Sequence, residues 1–148
     1  MIKTKLFNEN QKPSKEEKEE LINFLHQHLE QFGDAWNDIE KAVNYSLKEY
    51  PSFGGFVLQG FWEGSTACVV VVNRTGMEGY IPENILVYIA TDRALRGKGI
   101  GKHMMQEALK VAEGNVALHV EPDNPARYLY EKIGFTSKYL EMRYLKKD

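Results

Sequence analysis

The chain has 148 residues, the usual size of one domain, and we expect residues 1–148 to form a single domain. A domain of this length buries roughly 70% of the surface of its unfolded chain, so one hydrophobic core needs no metal or disulfide. The formal net charge of −2 gives no general attraction to phosphate polymers, which argues against nucleic acid as a partner.

The only cysteine, Cys68, cannot form a disulfide within the chain, and we interpret it as a small core residue rather than a nucleophile. The longest uninterrupted apolar run, residues 67–72, is far shorter than a membrane-spanning helix. The first residues also lack the long apolar stretch of a secretory signal. We therefore expect a cytoplasmic protein with no membrane partner.

The first third of the chain predicts a short strand and two helices. Residues 2–7 favour a strand, and Ser14 with Glu17 forms the pattern of a capping box at a helix start. Gly33 is typical of a helix end, and Asp34 is expected to cap a second helix. The predicted buried faces are Leu21, Leu25, Leu29 and Phe32 in the first helix and Trp36, Ile39, Val43 and Leu47 in the second.

The rest of the chain alternates between strands and helices. Residues 56–73 contain β-branched and aromatic runs divided by a Glu-Gly turn, which predicts a hairpin. The continuous apolar run of the next predicted strand indicates burial on both faces. We then predict a helix, a strand, a short helix ended by Gly134 and a final strand. These elements span residues 85–91, 100–112, 116–121, 124–134 and 139–145, and their order indicates an α+β fold with a mixed sheet flanked by helices.

The segment "LRGKGIGKHMM" joins the strand at residues 85–91 to the following helix. Backbone N–H groups at a helix start have no internal partner, and the helix dipole makes that end positive. Gly97, Gly99 and Gly101 remove Cβ atoms there, so a bulky anion can approach the backbone closely. An arginine can also hold a phosphate through two parallel hydrogen bonds. The pattern predicts that this glycine turn, residues 96–102, binds a cofactor pyrophosphate, assisted by Arg96, Lys98 and Lys102.

Three known phosphate-binding patterns can be compared with the glycine turn. The nucleotide-triphosphate loop requires Ser or Thr after its Gly-Lys pair, and this chain has a histidine there. The dinucleotide fingerprint fits the first two glycines and places Glu121 as its acidic residue, but Lys102 stands at the third glycine position. The pattern Arg-x-x-Gly-x-Gly is met in full by Arg96, Gly99 and Gly101.

This last pattern, together with the segment "LHVEPDNPARYLYEKIGF", resembles the GNAT superfamily of acetyl-CoA-dependent N-acetyltransferases. The resemblance implies a mixed, mostly antiparallel central sheet with a splay between its two central parallel strands. It also implies acetyl-CoA as cosubstrate, an amine acceptor and no metal. Oligomeric state stays open, with a homodimer among the alternatives.

The resemblance implies roles for individual residues. Backbone amides of the glycine turn would hold the pyrophosphate, and those of Ile89 and Thr91 on the splayed strand would contact the cofactor's amide arm and the acetyl oxygen. Tyr130 matches the family's general acid, which protonates the departing thiolate. The expected cofactor-binding residues are Ile89, Thr91, Arg96, Gly97, Lys98, Gly99, Ile100, Gly101, Lys102 and Asn124.

The remaining roles have weaker signals. A general base for the incoming amine is chosen from acidic and histidine side chains near the splay, and Glu121 ranks first because it follows a predicted strand. His26 and His28 lie two positions apart on a helix, hence on different faces, so we expect no metal pair. The other base candidates are Glu83, Asp92 and His119, and the expected acceptor-side residues are Trp36, Phe53 and Tyr80.

We therefore predict an N-acetyltransferase that moves an acetyl group directly from acetyl-CoA to a primary amine of a small molecule or protein. One alternative is a non-catalytic coenzyme A-binding module that acts as a sensor or scaffold. A second alternative is the dinucleotide-binding domain of an oxidoreductase. The identity of the acceptor stays open.

Overall fold

The computed structural model describes residues 1–147, which form one five-stranded sheet with two helices on each face. The strands are β1 (Lys3–Phe7), β2 (Gly55–Trp62), β3 (Ser65–Arg74), β4 (Asn84–Thr91) and β5 (Val116–Leu118). The helices are α1 (Lys15–His28), α2 (Trp36–Leu47), α3 (Ile100–Val111) and α4 (Ala126–Ile133). Short 3₁₀ turns follow α1 at Glu30–Phe32 and β4 at Arg93–Leu95.

The sheet has the order β1-β2-β3-β4-β5, and only the pair β4–β5 is parallel. This mixed, mostly antiparallel sheet with flanking helices confirms the predicted α+β class. The β2–β3 hairpin turns at Glu63 and Gly64, whose φ angles of 50° and 83° match the right-handed twist of the strands.

Two hydrophobic clusters lie on opposite faces of the sheet. Helices α1 and α2 bury Leu21, Leu25, Ile39 and Val43 on one face, all fully inaccessible. Helices α3 and α4 pack against the other face through side chains that include Met104, Met105 and Tyr130. The capping box predicted for α1 is confirmed, because the Glu17 N–H donates to Ser14 Oγ at 3.1 Å and the Ser14 N–H donates to Glu17 Oε1 at 2.8 Å.

The start of α2 differs from the prediction. Ala35 precedes the helix and no side chain caps it, so Asp34 is not the helix cap. The Asp34 carboxylate instead accepts a hydrogen bond of 2.5 Å from the Tyr88 hydroxyl. Tyr88 is only 8% exposed on β4, and a buried hydroxyl needs a partner, which no local sequence pattern reveals.

The predicted final strand is also wrong. Residues 139–145 form no strand, and the five large apolar side chains of this segment are 75–89% exposed. Strand propensity reflects packing against neighbouring strands, and this segment has no neighbour. The sheet therefore ends at β5, so β4 and β5 are not two central parallel strands as expected.

The strand predicted at residues 116–121 is shorter than expected and ends at Leu118. Its parallel pairing with β4 covers only residues 84–86 of β4. Beyond Leu86 the two parallel strands separate, and from Tyr88 onward β4 pairs with β3 alone. The predicted burial on both faces of β4 is confirmed, because Tyr88 and Ala90 are buried in the cluster of the α1–α2 face while Leu86 is buried in that of the α3–α4 face.

Candidate active site

The glycine turn leaves its backbone open at two of its three glycines. Gly97 and Gly99 have φ angles of 85° and 79°, in the left-handed region that favours glycine. A Cβ atom added at either residue would meet no other atom within 4 Å. The space beside the backbone is therefore accessible to a ligand.

The amide groups of the turn are available to that space. Ile100, Gly101 and Lys102 form the first turn of α3, where N–H groups have no partner within the helix. Within residues 1–147, no N–H group from Gly97 to Lys102 donates to another backbone carbonyl. The turn can therefore offer several N–H donors to one anion, next to the positive end of the helix dipole.

Gly101 and Ile100 serve the packing of α3. A Cβ atom at Gly101 would lie 3.3 Å from Thr91 Oγ1 and 3.5 Å from Leu129 Cδ2, so this glycine lets α3 approach β4 and α4 closely. The Ile100 side chain is 3% exposed in the core. At both positions only the backbone is free to contact a ligand.

The Arg96 side chain points to the end of α1. Its Nη1 lies 2.7 Å from Glu30 Oε1, and its Nη2 donates to the His28 carbonyl at 2.9 Å. Glu30 also accepts from Arg93 at 2.5 Å. Hydrogen bonds from Arg96 and then from Arg93 lower the pKa of Glu30. No sequence pattern points to Glu30, because Arg93 and Arg96 lie more than sixty positions away.

The separation of β4 from β5 creates the expected splay beside the glycine turn. Ile89 and Thr91 pair with Val70 and Cys68 of β3, while no strand covers their other edge within residues 1–147. Backbone polar groups on that edge lack the ladder partner that a parallel neighbour would supply. The roles of Ile89 and Thr91 in contacting a cofactor stay predictions.

Tyr130 lies on the α3–α4 face of the sheet, close to the same place. It is 8% exposed, and burial followed by the nearby Cys68 raises the pKa of its hydroxyl to about 12. Burial also raises the pKa of the Cys68 thiol to about 12, against a hydrogen bond from Thr91 that lowers it. The structure therefore brings Tyr130, Cys68 and Thr91 together beneath the start of α3.

Asn124 and Glu121 belong to the turn before α4. The Asn124 side-chain oxygen accepts from the Ala126 N–H at 2.9 Å, which satisfies one donor at the start of that helix. The Asn124 N–H donates to the Glu121 carbonyl at 2.9 Å. The Glu121 side chain is exposed, and its role as a general base stays a prediction.

Several other candidates lie away from this region. The Glu83 carboxylate accepts from the N–H groups of Asn115 and Gly79, before the start of β4 and so at the opposite end from Thr91. Phe53 and Tyr80 are 59% and 80% exposed at that same end. Trp36 differs, because its Nε1 donates to Asn23 of α1 at 2.7 Å, close to the α1–α2 junction (residues 29–35).

The sequence model of the acetyltransferase (GNAT) family matches residues 19–135, which include both helical layers and the glycine turn. The chain belongs to the GNAT acetyltransferase family. Its membership confirms the resemblance seen in the glycine turn and in the segment around Tyr130, and it makes the protein an acyltransferase by family.

Solved structures of GNAT proteins share this fold. An aminoglycoside N-acetyltransferase in complex with CoA has 13% identity, covers 100% of this chain and 96% of its own, and gives a TM-score of 0.70. A GNAT protein from Streptococcus pneumoniae has 19% identity, covers 100% of both chains and gives 0.68. A ribosomal-protein-alanine N-acetyltransferase from Brucella melitensis has 16% identity, covers 99% of both chains and gives 0.64. No curated protein is a significant match to this chain.

Two further properties concern the described part of the chain. No helix within residues 1–147 is both long and apolar enough to cross a membrane. No group of three or more His, Cys, Asp or Glu side chains in the same range is placed to hold a metal ion.

Proposed function

We propose that this GNAT chain transfers an acetyl group from acetyl-CoA directly to a primary amine. The observation that carries the proposal is the open glycine turn, whose unpaired amides lie at the start of α3 beside the separated end of β4. A pyrophosphate bound by those amides would direct the rest of the cofactor toward β4. Lys98 and Lys102, both exposed, add positive charge on the same turn.

The reaction needs few groups from this chain. The amine nitrogen attacks the thioester carbonyl, the C–S bond breaks, and the amine loses a proton to water or to Glu121. Free N–H groups near Ile89 and Thr91 would stabilise negative charge on the acetyl oxygen. No cysteine nucleophile takes part, because the only cysteine is fully buried.

Tyr130 would act on the departing sulfur. Proton transfer from a phenol of pKa about 12 to a free thiolate of pKa about 8.5 is uphill by about 5 kcal/mol. A hydrogen bond from the neutral hydroxyl to the developing thiolate is therefore the larger expected contribution, with the proton supplied finally by solvent. Because burial raises its pKa to about 12, this hydroxyl stays neutral, and so able to donate, at neutral pH.

The proposed acceptor is a primary amine of a small molecule or of a protein. One structural relative acts on aminoglycosides and another on ribosomal-protein alanine, which are a small-molecule amine and a protein amine. Shared fold at these identities does not choose between them. A cytoplasmic location and a homodimer stay predictions.

Two assays test the proposal. Acetyl-CoA should raise the melting temperature and NAD should not, because the third glycine of the dinucleotide fingerprint is missing. A panel of amino acids, polyamines, aminoglycosides and peptides should then include an amine that releases free thiol from acetyl-CoA. Cys68 is buried, so the native protein adds no thiol background. Binding of acetyl-CoA without thiol release from any amine would favour the non-catalytic CoA-binding module.

A further inference from the structure

The 3₁₀ turn after β4 and the first residue of the glycine turn are attached by four contacts to His28, the last residue of α1, and to Glu30 just beyond it. The Arg93 N–H donates to His28 Nδ1 at 3.3 Å, and the Arg93 guanidinium donates to Glu30 at 2.5 Å. Arg96 binds the other Glu30 oxygen at 2.7 Å and the His28 carbonyl at 2.9 Å. Two consecutive turns of the chain are thus joined to α1 through His28 and Glu30.

Glu30 has an unusual backbone for its residue type. Its φ angle is 57°, in the left-handed region that follows many helices and that glycine or asparagine usually occupies. The side chain is 28% exposed, and Arg93 and Arg96 are 70% and 48% exposed. Exposed ion pairs contribute little to stability, so stability alone does not explain a strained glutamate between two arginines.

The α1–α2 junction begins at this point and runs along the end of β4. Glu30 is part of the junction, Asp34 of the junction binds Tyr88 of β4, and Trp36 follows at the start of α2. The glycine turn begins at Arg96 itself. The Glu30–Arg96 contact therefore lies between the proposed cofactor site and the helices on the opposite face of the sheet.

We propose that Glu30 is a positioning residue that, through Arg96 and Arg93, couples coenzyme A binding at the glycine turn to the order of the α1–α2 junction. This inference rests on the proposed function, since it takes the junction as the acceptor side of the site. The Arg96 side chain acts on α1 in this arrangement, while backbone amides and the lysines of the turn contact the pyrophosphate. A bound cofactor that holds the turn in place also holds His28 and Glu30, and through them the junction.

The test uses coenzyme A as the probe and needs no acceptor. In a Trp62→Phe background, the accessibility of Trp36 to acrylamide reports the junction, and calorimetry gives the Kd for coenzyme A. We expect coenzyme A to reduce quenching of Trp36 about twofold in the parent protein. In Glu30→Gln the Kd should stay within about threefold, and the quenching response should be lost.

Three variants serve as comparisons. Glu19→Gln removes an exposed glutamate from α1 and should keep both the Kd and the response. Lys102→Gln should weaken coenzyme A about threefold to tenfold and keep the response at saturation. Arg96→Lys keeps the charge but not the two-pronged contact, and should lose the response as Glu30→Gln does. Hydrogen exchange of residues 29–35 gives the same comparison without the Trp62 substitution.

Two results would overturn the inference. The first is no Trp36 response to coenzyme A in the parent protein that binds it. The second is an unchanged Trp36 response in Glu30→Gln; if this variant also binds coenzyme A more tightly, Arg96 is instead a phosphate ligand that Glu30 sequesters. A parent protein that does not bind coenzyme A at all would instead refute the proposed function.

Discussion

Thr91 lies directly opposite Cys68 in the β3–β4 pair, and its side chain acts to lower the pKa of the buried thiol, against the larger effect of burial. A Cβ atom added at Gly101 would lie 3.3 Å from the hydroxyl oxygen of Thr91. The end of β4 is therefore packed tightly against α3, and Leu129 of α4 closes the same space. This packing fixes the distance between the glycine turn and the helix that carries Tyr130.

Tyr130→Phe should separate catalysis from cofactor binding. We expect kcat to fall about a hundredfold or more, because the hydroxyl that donates to the thiolate is lost. The Kd for acetyl-CoA and the melting temperature should change little, since the hydroxyl has no hydrogen bond with a described residue. Tyr128→Phe, on the same helix but 69% exposed, is the matched control. Unchanged kcat in Tyr130→Phe would contradict the assignment.

Gly99→Ala should weaken acetyl-CoA binding about tenfold, because the new methyl group occupies the space beside the backbone amides. The variant should also lose about 1–2 kcal/mol of stability from strain at φ 79°. Gly64→Ala is the control: Gly64 has φ 83° and open surroundings but lies in the β2–β3 turn. Equal Kd values for the two variants, measured by calorimetry, would remove the glycine turn from the binding site.

Asn124 can be tested for two separate contributions. Asn124→Asp keeps the oxygen that accepts from the Ala126 N–H, so the melting temperature should hold, while loss of the amide donor weakens acetyl-CoA binding. Asn124→Ala should lower stability by about 1 kcal/mol as well. Affinity for acetyl-CoA that is the same in the wild type and Asn124→Asp would leave Asn124 as a helix cap only.

Alkaline pH should destabilise the protein through Cys68. Its thiol ordinarily has a pKa of 9.0, and burial raises the pKa to about 12 in the folded protein, so the unfolded chain ionises first. The neutral buried thiol therefore favours the folded state fully below pH 9, and this contribution to the free energy of unfolding is lost as pH rises toward 12. At pH 11 the loss is about 2–3 kcal/mol. Urea unfolding at pH 8 and pH 11 should show a smaller fall in Cys68→Ala than in the wild type. An equal fall in both proteins would exclude the thiol as the cause.

Features set by neighbouring residues could be predicted from the sequence. The capping box of Ser14 and Glu17, the turn at Gly64 and the opening at Gly97 and Gly99 all follow from short patterns and local backbone preferences. Tyr130 was located because the resemblance covers its whole helix, although its burial beside Cys68 needed the fold.

Features that depend on distant partners could not be predicted. Asp34 was expected to cap a helix, but Tyr88, 54 positions away, takes its carboxylate. The apolar pattern of residues 139–145 predicts a strand, yet a strand forms only beside another strand. No local sequence pattern marks Glu30, since its role depends on two arginines that approach it only when β4 and α1 pack together.

The two helical layers come from separate stretches of the chain: α2, the second helix, ends at Leu47, while β4 begins at Asn84 and is followed by the glycine turn, α3 and α4. Recombination of one continuous N-terminal stretch could therefore exchange the proposed acceptor side and leave the proposed cofactor side unchanged. Because the sheet separates the two helical layers, most contacts of α3 and α4 would be unaffected by such an exchange. The new N-terminal stretch would still need an acidic side chain and a backbone carbonyl that accept hydrogen bonds from Arg93 and Arg96.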